Sequence, residues 1–149
     1  QFAFALSTDP KYLILDEPTA NFDPDFKQDF LNVIMQFMES GKKSVIIASH
    51  ILDELDRIAD YLIYLDKGEL VYSGDIESFR DKYRIISGES YKVKLLKQED
   101  IIHAEDRKYG TKALVVNHGY SKYDGALTVT VPTLEEFMYH YSKRGESAI

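Results

Sequence analysis

Tyr12-Leu13-Ile14-Leu15-Asp16-Glu17-Pro18 sets four apolar residues directly before two adjacent carboxylates and a proline. A run apolar on both faces suits a strand covered by helices on each side, as in a parallel sheet. Pro18 removes a backbone donor and so ends the strand. In open α/β sheets, ligands sit beyond the carboxyl ends of the strands. Asp16 and Glu17 are therefore placed for magnesium and phosphate chemistry. Taken alone, the run fits a core strand with an acidic turn equally well.

A second apolar run, Ser44-Val45-Ile46-Ile47-Ala48, leads into Ser49-His50 and reads as another buried parallel strand. Between the runs, Phe26, Phe30, Leu31, Val33, Ile34, Phe37 and Met38 recur at helical spacing over residues 24–40. Asp23 caps that helix, Pro24 fits its first turn and Gly41 closes it. Strand, helix, strand is a βαβ unit, right-handed in about 98% of cases, and often makes its two strands neighbours. Glu17 and His50 then face one crevice. The bland reading of His50 is a helix-start residue, with Ser49 capping an amphipathic stretch of Ile51, Leu52, Leu55, Ile58 and Ala59.

The order of Leu13-Ile14-Leu15-Asp16-Glu17-Pro18-Thr19, Asn21-Phe22-Asp23-Pro24 and Ser49-His50 resembles the second half of an ATP-binding-cassette (ABC) nucleotide-binding domain. There the strings are the Walker B strand, the D-loop and the H-loop with its switch histidine. The resemblance runs on through residues 60–74, similar to the hairpin and turn that come after the switch histidine, and covers residues 1–83. It implies a partial P-loop NTPase parallel sheet with helices over residues 1–84, of α/β class. A small α+β C-terminal extension over residues 85–149 completes the chain.

By that resemblance, Asp16 helps hold Mg2+, commonly through water, between the β- and γ-phosphates of ATP. Glu17 matches the catalytic carboxylate that polarises the attacking water. His50 matches the residue that contacts the γ-phosphate, where an imidazole donates a hydrogen bond to developing charge. Asp23 matches the D-loop residue that crosses a dimer interface and links the two nucleotide sites. Phe22 stands where the common form carries Leu, which bears on interface packing alone.

An ATP site also needs a phosphate cradle, and no GxxxxGK[ST] loop is present in these 149 residues. Gly41-Lys42-Lys43-Ser44 lacks the earlier glycine and runs into a strand instead of opening a helix. The glutamine loop and an LSGGQ-type signature are missing too, and residues 1–6 resemble the family helix just after that signature. A fragment of a longer polypeptide is expected, inactive alone.

A hydrophobic content of 44% suffices for a core, and no run approaches the ~18 apolar residues that span a bilayer, so a soluble chain is expected. Zero cysteines exclude disulfides and thiolate metal sites. A net charge of −7 argues against nucleic-acid partners or anionic lipid.

Beyond the hairpin at residues 61–72, Ser73-Gly74-Asp75 marks a turn and a short helix carries Ile76, Phe79 and Tyr83. Ser87-Gly88-Glu89-Ser90 reads as a linker. Strands are expected at residues 91–96, 113–117 and 127–131, and a loop at 117–125. Thr133-Leu134-Glu135-Glu136 opens a final helix with a capping box. That helix resembles the one closing many ABC exporter ATPases. His103, His118 and His140 lack metal-ligand spacing and read as surface residues.

The resemblance implies the ATP-hydrolysing subunit of an ABC transporter, with export preferred on the tail alone. Its implied partners are integral-membrane permease subunits and a second ABC ATPase subunit, alike or related. Its implied place is cytoplasmic, peripheral at the inner face of the cell membrane. The alternatives are a soluble ABC ATPase without transport and a non-catalytic interaction module.

Overall fold

A computed structural model describes residues 2–52, 55–120 and 127–145. The chain forms two compact units, Gln1–Ile58 and Ala59–Ile149. The division expected at 84/85 falls inside a strand of the second unit, because the hairpin at residues 61–75 packs against helices that lie after it in the chain.

The first unit runs α1 (Phe2–Ser7), β1 (Tyr12–Asp16), α2 (Pro24–Met38), β2 (Ser44–Ala48) and α3 (Leu55–Ile58). β1 and β2 pair in parallel, Tyr12 opposite Ser44 through Asp16 opposite Ala48. Leu13, Phe30, Leu31 and Ile34 form the core, flanked by Phe2, Leu6, Leu15, Val45 and Ile58. Asp23 caps α2, its Oδ1 accepting from Phe26 N at 2.8 Å. Gly41, at φ 65°, ends it by donating to Met38 O at 2.8 Å. The expectation of strands covered on both faces is corrected. Tyr12 and Ile14 are 72% and 74% exposed, and Ile46 is exposed beside them. The core lies on the opposite face alone, so burial along β1 alternates with the pleat.

The amphipathic stretch expected at residues 51–59 is described as α3 and the two residues Ile51 and Leu52; residues 53 and 54 lie outside the described residues. The loop expected at 117–125 is described only to residue 120.

The second unit comprises β3 (Tyr61–Asp66), β4 (Glu69–Asp75), α4 (Ile76–Lys82), β5 (Tyr83–Gly88), α5 (Ser90–Val93), a 3-10 turn (Gln98–Asp100), β6 (Ile101–Arg107), β7 (Gly110–Val116), β8 (Thr128–Thr130) and α6 (Leu134–Ser142). β3 and β4 form an antiparallel hairpin whose two-residue turn has Lys67 at φ 50° and Gly68 at φ 82°. Two positive φ values make a type I′ turn, whose twist matches that of the strands. Ser73-Gly74-Asp75 continues β4, and Asp75 then caps α4 by accepting from Ser78 N at 2.7 Å. β6, β7, β5 and β8 form a four-stranded antiparallel sheet in that order. One core cluster joins Ile86, Val93, Leu96, Ala113, Val115 and Tyr120. Phe137 of α6 packs against Phe79, Tyr83 and Tyr64 with ring centroids 4.8, 4.6 and 5.6 Å away.

Three expectations change here. The linker at 87–90 is the end of β5 and the start of α5. The strand expected at 91–96 is instead α5 and the turn after it. Its alternation is outweighed by Val93 and Leu96, three apart, which are buried while Tyr91 and Leu95 stay exposed. His103 and His140 are buried, their Nδ1 atoms 2.9 Å apart.

One Nδ1 of that pair must donate and the other accept. Burial, then the neighbouring His103, then Lys112, lowers His140 from 6.5 to about 4, with Glu105 opposing and Arg107 adding to the fall. The unfolded chain takes up this proton near 6.5 and the folded chain only near 4. Stability of this unit is therefore full above that window and lost as pH falls through it. Thermal unfolding between pH 7 and 4 should show the fall, and His140→Leu should flatten it. Gly110 sits at φ 134°, where an added Cβ would meet Gly88 O at 2.2 Å. Gly110→Ala should therefore cost about 1–3 kcal/mol or more in chemical denaturation.

Candidate functional site

The site is built at the carboxyl ends of β1 and β2. The parallel register puts Asp16 opposite Ala48, so the residues just beyond, Glu17 on one side and Ser49 and His50 on the other, meet. Glu17 N donates to Ala48 O at 2.8 Å, which continues the ladder one step past β1. Glu17 then turns at φ 45°, in the left-handed region that non-glycine residues seldom occupy. Such strain persists where surrounding contacts enforce it, and it concentrates at functional sites.

The side chains complete the arrangement. His50 Nδ1 lies 2.8 Å from Glu17 Oε1, and His50 N donates to the same oxygen at 3.1 Å. Ser49 Oγ donates to Oε2 at 3.3 Å. The hydrogen bond from the His50 ring, the largest contribution, holds the Glu17 carboxyl below its ordinary range against partial desolvation. Glu17 is thus anionic at neutral pH. Ser49 Oγ also accepts from Ile51 N at 3.0 Å, forming a turn two residues long. The helix cap expected of Ser49 is realised as this local turn.

Glu17 and His50 are in direct contact, and Asp16 precedes Glu17 on the exposed end of β1. Asp23 lies at the N-terminus of α2, where its side chain is occupied by capping. Phe22 stacks edge-on against Phe26 and Phe30, with centroids 4.6 and 5.9 Å apart, which anchors the loop between β1 and α2. Thr19 is buried within that loop, and Phe22 N donates to Thr19 O at 3.1 Å. Ser49 was visible in the sequence only as a candidate cap, although its place before His50 is the signal for its contact with Glu17.

Among the described residues, no cluster of three or more His, Cys, Asp or Glu side chains can hold a metal ion. Asp16 offers one oxygen-donor carboxylate. That suits Mg2+, which is bound through one or two carboxylates with phosphates and water completing its octahedron.

No family model matches the chain. It is 43% identical over 70 residues to an ABC transporter ATP-binding protein of Mycoplasma pneumoniae, covering 47% of this chain and 22% of that protein. It is 41% identical over 81 residues to the energy-coupling factor transporter ATP-binding protein EcfA2 of Caldanaerobacter subterraneus, covering 54% of this chain and 28% of that protein. The chain is homologous to ABC transporter ATP-binding proteins. It spans about a quarter of the length of the relatives it matches. Among solved structures, UvrA2 from Deinococcus radiodurans aligns at 21% identity and a TM-score of 0.42, over 58% of this chain and 14% of that one.

The contact between Glu17 and His50 gives a direct readout. Replacing His50 with Ala removes the largest cause of the lowered Glu17 value, so the Glu17 carboxyl should titrate at higher pH. A carboxyl-carbon NMR titration of the chain measures it. In a separate denaturation experiment, Asp23→Ala should cost about 1 kcal/mol through loss of the cap, and Asp23→Asn should cost little.

Proposed function

We propose that these residues form the hydrolytic side of the ATP site in the ATPase subunit of an ABC transporter, which powers movement of a substrate across a membrane. The observation that carries the proposal is the grip of Ser49 and His50 on the Glu17 carboxylate at the ends of two parallel strands. Homology to transporter ATP-binding proteins supports it.

Mg2+ bound with ATP would supply charge neutralisation at the β- and γ-phosphates. Asp16 would hold it. Glu17, anionic and fixed in orientation, is suited to accept a hydrogen bond from an attacking water. The exposed His50 imidazole is suited to donate to a phosphate oxygen once it turns from Glu17. The chain carries no phosphate cradle among its 149 residues, so a segment supplying one completes the site in the whole subunit.

The whole subunit pairs, in this proposal, with a second ATPase subunit through the loop of Asp23, and acts on integral-membrane permease subunits from the cytoplasmic face. Among the described residues, no helix is long and apolar enough to cross a membrane. The Thr133-Leu134-Glu135-Glu136 start of α6 is accounted for by its capping box, Thr133 Oγ1 accepting from Glu136 N and Glu136 Oε2 accepting from Thr133 N. The proposal is therefore made for transport without a direction.

In the whole subunit, Glu17→Gln should retain ATP binding and lower kcat by about 100-fold or more, the scale of a lost general base. Full turnover by the variant would overturn the proposal. Calorimetry on the present chain alone should show no micromolar binding of magnesium-ATP.

A further inference from the structure

Glu17 is bound at both carboxylate oxygens by one short segment. Oε1 takes the backbone N–H and the ring of His50, and Oε2 takes the hydroxyl of Ser49. The two neighbours differ in freedom. The His50 side chain is 72% exposed, so its ring has little packing to hold it against Glu17. Ser49 is half-buried, and its oxygen is fixed by the 3.0 Å bond from Ile51 N. The hydroxyl proton then has two acceptors within reach, Glu17 Oε2 at 3.3 Å and Ile51 O at 3.5 Å. A bond of 3.3 Å is long for O–H···O and leaves room to shorten.

We propose that Ser49 is a positioning residue that keeps the Glu17 carboxylate in its plane when the His50 ring leaves it. The proposal rests on reading Glu17 as the carboxylate that polarises water. With the ring gone, the backbone N–H of His50 still holds Oε1 and the Ser49 hydroxyl holds Oε2. Two donors on two oxygens fix the rotation of a carboxylate about its terminal bond, and one donor does not. Glu17 is thereby kept aimed during the part of the cycle in which His50 is engaged elsewhere.

The test is steady-state ATP turnover of the whole subunit for Ser49→Ala and Ser49→Thr, with kcat and KM read separately. Ser49→Ala should lower kcat by about 10-fold with KM unchanged, because a carboxylate free to rotate is aimed for only part of the time. Ser49→Thr keeps the hydroxyl and should retain the wild-type kcat. A wild-type kcat in Ser49→Ala overturns the proposal. A Ser49→Thr kcat as low as that of Ser49→Ala also overturns it, because packing and not the hydroxyl would then be responsible. Loss of the folded circular dichroism spectrum in Ser49→Ala, with Ser49→Thr folded, overturns it in favour of a purely structural turn. The ATPase reading fails separately, by full turnover in Glu17→Gln.

Discussion

The tie from Glu17 N to Ala48 O is the constraint on which the site depends. It extends the parallel ladder one residue past Asp16 and forces the chain to leave the sheet at Glu17 in a left-handed conformation. The carboxylate is then delivered across the strand ends to Ser49 and His50 instead of along its own strand. The strained backbone at this point is held by the bonds that Glu17 makes with Ala48, Ser49 and His50, and the contacts with Ser49 and His50 are the candidate chemistry.

Most of the first unit was legible because its signals are redundant. Apolar runs ending in Asp16-Glu17-Pro18 and Ser49-His50, a helical repeat between them, Asp23 before Pro24 and Gly41 after Met38 all agree on strand, helix, strand. What the sequence could not tell was the partner of the second sheet face. Tyr12, Ile14 and Ile46 carry the composition of a face buried on both sides, yet α1 and α2 cover only the opposite one. A pattern of residues records burial without naming the element that provides it. The lowered pKa of Glu17 was likewise invisible, since it depends on a hydrogen bond between residues 33 apart in the chain.

The second unit was less legible for a reason that recurs along it. Its strands are short and interrupted by polar residues, as in Tyr83-Arg84-Ile85-Ile86-Ser87-Gly88 and Ile101-Ile102-His103-Ala104-Glu105-Asp106-Arg107. Ser87 and Gly88 suggest a linker, yet both belong to β5, where the Gly88 carbonyl lies close against Gly110. His103 and His140 satisfy one another and so tolerate burial that neither would accept alone. Cap chemistry was read reliably because it is strictly local, as at Asp23-Pro24 and Thr133-Glu136, and turn chemistry poorly where a paired strand decides, as at Ser73-Gly74-Asp75.

The central claim is that Asp16, Glu17 and His50 face the metal and terminal phosphate of a bound nucleotide. Paramagnetic relaxation by Mn2+ substituted for Mg2+ with ATP, read by NMR on the whole subunit, tests it most directly. The account predicts strong, nucleotide-dependent broadening of the Glu17 and His50 signals. Unchanged Glu17 and His50 signals in the presence of bound Mn2+-ATP would contradict it.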